Sequence, residues 1–430
     1  MVAAANGFSI RPAEVQTGST MDFRLGLVPV LAAASAFAGA AAADPSGPAQ
    51  RSAPTVAPRI FLHDPAVLVR RKERWRANPR AEPAVANLLT EADRALDEKP
   101  FSIVDKDVLP QSGDKHDYLS LAPYAWPDPR KPNGLPYVMR DGKISPERDT
   151  IPDHRKLARI CSLGEILGLA YFFSGDEKYA AHATALLRTF FIAAATRMNP
   201  NLNFAQGVRG KESGRAAGIV DAAGIVHLVD GASFLVPSDS WTKADAGALH
   251  AWLAAYLTWL QKSDLGRKEG RANNNHGTWY DVQVVSLALA TGQTELATET
   301  LSFARKRRIG RQIEPDGQQP EELRRTRPWH YASFNLQAMV LLANLGARAG
   351  VDLWHYQTPD GRCIPKAVAW LLPFAAGKSP WVLPDLDGMK AAELWPIVRE
   401  AALALPNPDL AKAAAQIDVA PDPRLALYLD

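Results

Sequence analysis

The chain has 430 residues, 47% hydrophobic and 22% charged, with 49 Lys and Arg against 46 Asp and Glu for a formal charge of +3. That composition suits an ordinary globular protein able to bury a large core. The charge is too mild for a nucleic-acid binder and no run of Lys and Arg is interleaved with aromatics, while a locally basic cleft for an acidic ligand fits it.

The only long apolar stretch lies near the start, where Met21-Asp22-Phe23-Arg24 precedes LGLVPVLAAASAFAGAAAA. A basic residue, a short apolar run and the Ala41-x-Ala43 pattern predict a secretory signal peptide within residues 1–43, with translation starting at Met21. A membrane anchor is the alternative. Ala and Gly dominate the stretch, however, and Pro29 interrupts it, so the reading is a periplasmic or secreted protein with no stable membrane insertion after cleavage. Cys161 and Cys363 are too few for a disulfide framework. Residues 44–58, rich in Pro, Ser and Ala, predict a disordered linker, leaving one folded domain over 59–430.

From there apolar residues recur at helical spacing in 65–77, 83–97, 155–173, 177–196, 216–235, 242–262, 277–291, 294–308, 332–349 and 364–376. Gly175, Pro237, Gly292 and Gly350 stop several of these segments. Alternating strand patterns are scarce, so the fold class is all-α, with helical hairpins arranged around an axis. Two long non-helical stretches interrupt the series: 104–153, dense in Pro, Gly, Tyr and Trp, and 309–331, polar and basic. Loops this long inside a folded domain are commonly functional.

The most informative string is Asn273-Asn274-Asn275-His276-Gly277, which opens a helix. One Asn there would be a plain N-cap; three with a His gather amide dipoles and an imidazole in one small volume. A second string, Glu321 to Tyr331, carries Arg324, Arg325, Arg327 and His330, and by itself reads equally well as a solvated basic loop. A third, Gly210 to Asp221, brings Arg215 to a Gly-rich helix entry that equally suits close helix packing. The fourth, His116 to Pro129, holds Tyr118, Tyr124 and Trp126, flat faces of the kind on which sugars stack, or simply a structural turn.

Together NNHGTWYDVQ, the Arg-rich segment ending in Tyr331, GRAAGIVD and HDYLSLAPYAWPDP resemble the alginate lyase superfamily over about residues 60–380. The resemblance implies an incomplete (α/α) toroid of helical hairpins and a lyase acting on alginate or glucuronan. It places the family's Asn-His pair on Asn275 and His276, and its substrate-binding Arg and catalytic Tyr on Arg324 and Tyr331, with Arg325 a substitute for Arg324 and Asn274 for Asn275. The resemblance assigns no role to His330, which is grouped with Arg325, Asn274, Arg215, Tyr118 and Trp126 as a candidate sugar contact.

The chemistry matches these residue types. The C5 hydrogen of a 4-linked uronate is acidified poorly by a carboxylate that is already negative, so fixed amide and guanidinium donors must quench that charge. A base then removes the hydrogen and an acid protonates the departing O4. Neighbouring Arg and His cations are expected to favour the Tyr331 phenolate, with Tyr331 as base and acid and His276 assisting; the reverse assignment is open. The partner is thus an acidic polysaccharide, mannuronate- or glucuronate-containing. No organic cofactor is implied, and no ligand spacing points to a metal. The nearest rival is a glycoside hydrolase recruiting two of Asp221, Asp281 and Glu322. A non-catalytic polysaccharide-binding protein would need the aromatics but neither the Asn-His nor the Arg-Tyr set. Nothing in the sequence speaks to oligomeric state.

Overall fold

The structure is a computed structural model that describes residues 57–405, 407–417 and 424–428. The expected signal peptide and nearly all of the linker lie outside the described residues.

The chain enters through α1 (Pro65–Ala77) and α2 (Pro83–Ala95) and then runs into the first long non-helical stretch. That stretch carries only short strands: β1 (Leu119–Leu121), β2 (Ala125–Trp126) and β3 (Val138–Met139). The inner helix α3 (Asp153–Ser174) follows, then α4 (Glu177–Leu187), which runs on as a wider turn over Arg188–Ile192. Next come β4 (Phe204–Gly207), a tight helical segment at Ala216–Ala222, and α5 (Ile225–Phe234). Two helices, α6 (Lys243–Lys262) and α7 (Asp264–Gly270), lead to α8 (Asn275–Ala290) and α9 (Thr294–Ala304). The second long connection contains the single turns α10 (Gly310–Gln312) and α11 (Pro320–Leu323), followed by α12 (Pro328–Ala349) and α13 (Ile364–Ala375). The described chain closes with α14 (Trp395–Ala404), α15 (Pro408–Gln416) and α16 (Leu425–Tyr428). β1 pairs in parallel with β4, Leu119 opposite Phe204, and β2 pairs antiparallel with β3.

Helices α3, α5, α8 and α12 pack in succession as an inner arc, while α2, α4, α6, α9 and α13 lie outside them. The inner helices bury residues on nearly all sides, which is why their apolar pattern is almost unbroken. The ends follow local chemistry. Thr242 and Asp245 form a reciprocal capping box at α6, and Gly175 and Gly350 end α3 and α12 in the left-handed conformation. One apolar core runs from Ile60 to Tyr428. The arc is bridged by chain from both ends: His63 stacks on Tyr428 at 3.9 Å and lies 3.0 Å from Glu400, while the Tyr428 hydroxyl donates to Glu165 of α3.

The helical class and every long helix expected from periodicity are present, with three differences. The segment 216–235 divides into the tight helical run and α5, the short helices α7, α10 and α11 were not anticipated, and α14 to α16 extend the helical chain beyond 376. At the crossing of α3 on α5, Gly168 faces Gly231, and a Cβ at Gly168 would overlap the Gly231 carbonyl oxygen. Gly168→Ala is therefore expected to destabilise the protein by about 1–3 kcal/mol through overpacking, read as a lower thermal-unfolding midpoint. An unchanged midpoint would contradict this account of the crossing.

Candidate active site

The start of α8 is held by an unusual density of polar contacts. Asn274 caps the helix, its side-chain oxygen accepting from the His276 backbone N–H at 3.2 Å. Asn275 is buried, and Glu322 accepts both from its backbone N–H at 2.6 Å and from its Nδ2 at 2.7 Å. His276 Nδ1 lies 2.7 Å from buried Glu269. A carboxylate there fixes the tautomer with hydrogen on Nδ1 and leaves Nε2 as acceptor. Behind the loop, buried Arg308 donates to both oxygens of Asp281, to Ala272 O and to Gly270 O. Gln312 donates to Asn274 O. The loop that presents Asn275 and His276 is thus fixed from two sides.

The second string delivers Tyr331 in the first turn of α12, which Pro328 opens. Tyr331 is 7% exposed, and its hydroxyl sits 2.7 Å from that of Tyr124. The guanidinium of Arg325 lies over the Tyr331 ring at 3.8 Å and donates to both oxygens of Asp141. Glu322, which grips Asn275, is within electrostatic reach of Arg325 and His276, so the two strings meet around one carboxylate. Burial raises the Glu322 carboxyl above its ordinary range despite the two Asn275 donors.

Two expectations need correction. Arg324 does not enter this cluster: its side chain is 68% exposed and pairs with Glu321 one turn back, so Arg325 supplies the guanidinium. At the end of α11 one residue faces solvent and the next turns inward, and motif spacing alone does not distinguish them. The Tyr331 phenol is also not poised as an anion. Burial raises it well above the ordinary tyrosine value and Tyr124 adds to this, with Arg325 only partly opposing them.

The remaining candidates divide. Asn274 is a cap beside the site. Arg215 is largely buried, donates to Gln206 Oε1 at 2.7 Å, and lies in the field of Glu212, Asp221, Glu269 and Tyr124, which places it beside the His276 cluster. Gln206 adopts a left-handed backbone (φ 49°), an uncommon conformation for a residue other than glycine, and also donates to Asp221. His330 lies edge-on to Tyr331, stacked on Phe334 and 3.3 Å from Glu393. Trp126 is half-buried with Arg140 over its ring, and its indole N–H donates to Lys143 O. Tyr118 offers no face to a sugar: it is fully buried, its hydroxyl donating to Asp221. The three carboxylates considered for hydrolysis are all held elsewhere, Asp281 by Arg308, Glu322 by Asn275, and Asp221 by Tyr118, Ser120 and Gln206. Among the described residues no three His, Cys, Asp or Glu side chains gather as a metal site.

A family model described as alginate lyase matches residues 102–381. The chain belongs to the alginate lyase family. This polysaccharide lyase is 37% identical to an alginate lyase from Bacteroides ovatus, with a TM-score of 0.80 covering 85% of this chain and 97% of that one. An alginate lyase from Sphingomonas species A1 superposes with a TM-score of 0.51 at 16% identity, covering 80% of this chain and 94% of that one. A variant of that enzyme complexed with tetrasaccharide gives 0.53 at 17%. At these identities the likeness is one of fold. No curated protein matches the chain.

Sequence reasoning did not assign roles to Tyr124, Glu269 or Asp141, and considered Glu322 only as a hydrolytic acid. Tyr124 stood within the quoted aromatic string, whereas Asp141 carried no local signal. For this lyase, Arg325→Ala is expected to lower kcat/KM by about 100-fold or more, while Arg324→Ala stays within about twofold of the unaltered enzyme. The reverse order, measured by ultraviolet assay of unsaturated product, would return the role to Arg324.

Proposed function

We propose that this lyase cleaves a 4-linked uronate polymer of the alginate class by β-elimination, using Arg325, Asn275, Tyr331 and His276. The observation that supports this best is Arg325 lying across the Tyr331 ring beside a Glu322-anchored Asn275. In this reading Arg325 and Asn275 hold the substrate carboxylate and stabilise the extra negative charge that develops when C5 loses its hydrogen, each such donor being worth about 10²–10³-fold. Tyr331 takes the C5 proton, the C4–O4 bond breaks as the C4–C5 double bond forms, and the proton passes to O4. In mannuronate and glucuronate the hydrogen and leaving group lie on one side, so a single phenol can serve both steps.

His276, oriented by Glu269, is the base that relieves Tyr331 of its own proton beforehand, while Tyr124, itself a phenol, holds the Tyr331 hydroxyl by a hydrogen bond. Arg215 supports neighbouring sugars from the Gln206 side. The acidic polymer, the relatives' substrate and the cationic Arg325 all favour the same partner. The signal-like segment before Asp44 supports a periplasmic or secreted location.

Because burial holds Tyr331 protonated, its base form is scarce at neutral pH and grows about tenfold per pH unit below its ionisation. The rate is therefore expected to climb as pH rises from about 7 to 9, and Tyr331→Phe to abolish turnover while leaving folding and polymer binding nearly intact. Substantial activity in Tyr331→Phe, measured by ultraviolet absorbance on polymannuronate and glucuronan, would remove the central role from Tyr331.

A further inference from the structure

We propose that Asp141 is a positioning residue of this lyase, one that never meets the substrate but fixes the Arg325 guanidinium across the Tyr331 ring with one edge free for a substrate carboxylate. The inference rests on the reading of Arg325 given above and deepens it.

The geometry is specific. Asp141 accepts from Arg325 Nε at 3.1 Å and Nη2 at 2.6 Å, and from the Thr326 backbone N–H and hydroxyl at 3.2 and 3.0 Å. Asp141 therefore occupies the Nε–Nη2 edge of the guanidinium and leaves Nη1 with no hydrogen-bond partner among the described residues. A planar, two-point grip of this kind sets direction as well as distance. The ring of Tyr331 at 3.8 Å restrains the flat face. A long side chain with many rotamers is thereby ordered before substrate arrives, so the entropy of ordering it is not charged to binding.

The turn bearing Asp141 is itself anchored. Arg327 donates to Gly142 O at 2.7 Å, and a Cβ at Gly142, where φ is +72°, would overlap the Thr326 hydroxyl. The same β2–β3 hairpin carries Tyr124, whose carbonyl accepts from Arg140 N–H at 2.8 Å and whose hydroxyl meets Tyr331. One hairpin thus sets both Arg325 and the hydroxyl partner of Tyr331. Arg324 is an internal contrast: the adjacent arginine, paired through one nitrogen with Glu321 on its own turn, is 68% exposed. Burial opposes the charge on Asp141, but the Arg325 and Thr326 donors outweigh it and hold the carboxyl below its ordinary range.

A double-mutant cycle tests this. Asp141→Ala is expected to lower kcat/KM about 10- to 100-fold, Arg325→Ala at least as much, and the combination no further than Arg325→Ala alone, because Asp141 acts only through Arg325. Asp141→Asn, which keeps an acceptor oxygen, is expected to recover part of the loss, with a thermal midpoint near that of the unaltered enzyme confirming that it folds. Multiplying losses in the double variant, Asp141→Ala at full rate, or Asp141→Asn no better than Asp141→Ala, would each overturn the proposal. If Arg325→Ala itself is fully active, the reading of Arg325 fails instead.

Discussion

The site depends on one buried carboxylate. Glu322 accepts from the backbone and the side chain of Asn275 across 47 residues of sequence. In doing so it ties the mouth of α8 to the segment that carries Arg325 and Tyr331. Each hydrogen bond to a charged group is worth roughly 1.5–3 kcal/mol, and removing one partner of such a buried pairing leaves an uncompensated group. The same carboxylate lies in the field of Arg325 and His276, so the donors that would meet a uronate share a common reference point. Its part is architectural: it orients the amide of Asn275, where a hydrolase would need it free opposite a second acid.

Around that carboxylate the helical arc supplies rigidity. The apolar inner helices α3, α5, α8 and α12 give a close-packed wall, and the polar side chains stand at helix starts, where unsatisfied N–H groups and capping side chains concentrate. Arg308 shows the cost of building such a start from a loop. Its guanidinium is buried and makes four hydrogen bonds to hold Gly270, Ala272 and Asp281 together, so that Asn274 and Asn275 emerge in a fixed direction. The long non-helical stretch folds back over this wall as the β2–β3 hairpin and brings Tyr124 and Asp141 to it from the opposite side.

Local patterns made much of this legible. Period-3.6 apolar spacing marked the long helices, and Gly175 and Gly350 stop α3 and α12 because glycine adopts the left-handed cap at little cost. The Asn-Asn-Asn-His run identified the mouth of α8, since so many amides at one helix start exceed what a cap requires. What sequence could not resolve depended on contacts between distant segments. Arg324 and Arg325 are chemically identical neighbours, and only Asp141, 184 residues from Arg325, decides which one turns inward. Tyr118 and Tyr124 share one aromatic string, yet the first is sealed in the core and the second reaches Tyr331. The phenol of Tyr331 was expected to be lowered by its cationic neighbours, but burial outweighs a single guanidinium. The short helices α7, α10 and α11 escaped notice because one or two turns carry too little periodicity to register.

The most direct test is a crystal structure of the Tyr331→Phe variant with a bound mannuronate tetramer. The account predicts one sugar carboxylate bridging Arg325 Nη1 and the Asn275 amide, with the adjacent C5 hydrogen facing the ring at position 331 and His276 beside the departing O4. A carboxylate held instead by Arg324, or a sugar whose C5 points away from position 331, would contradict it.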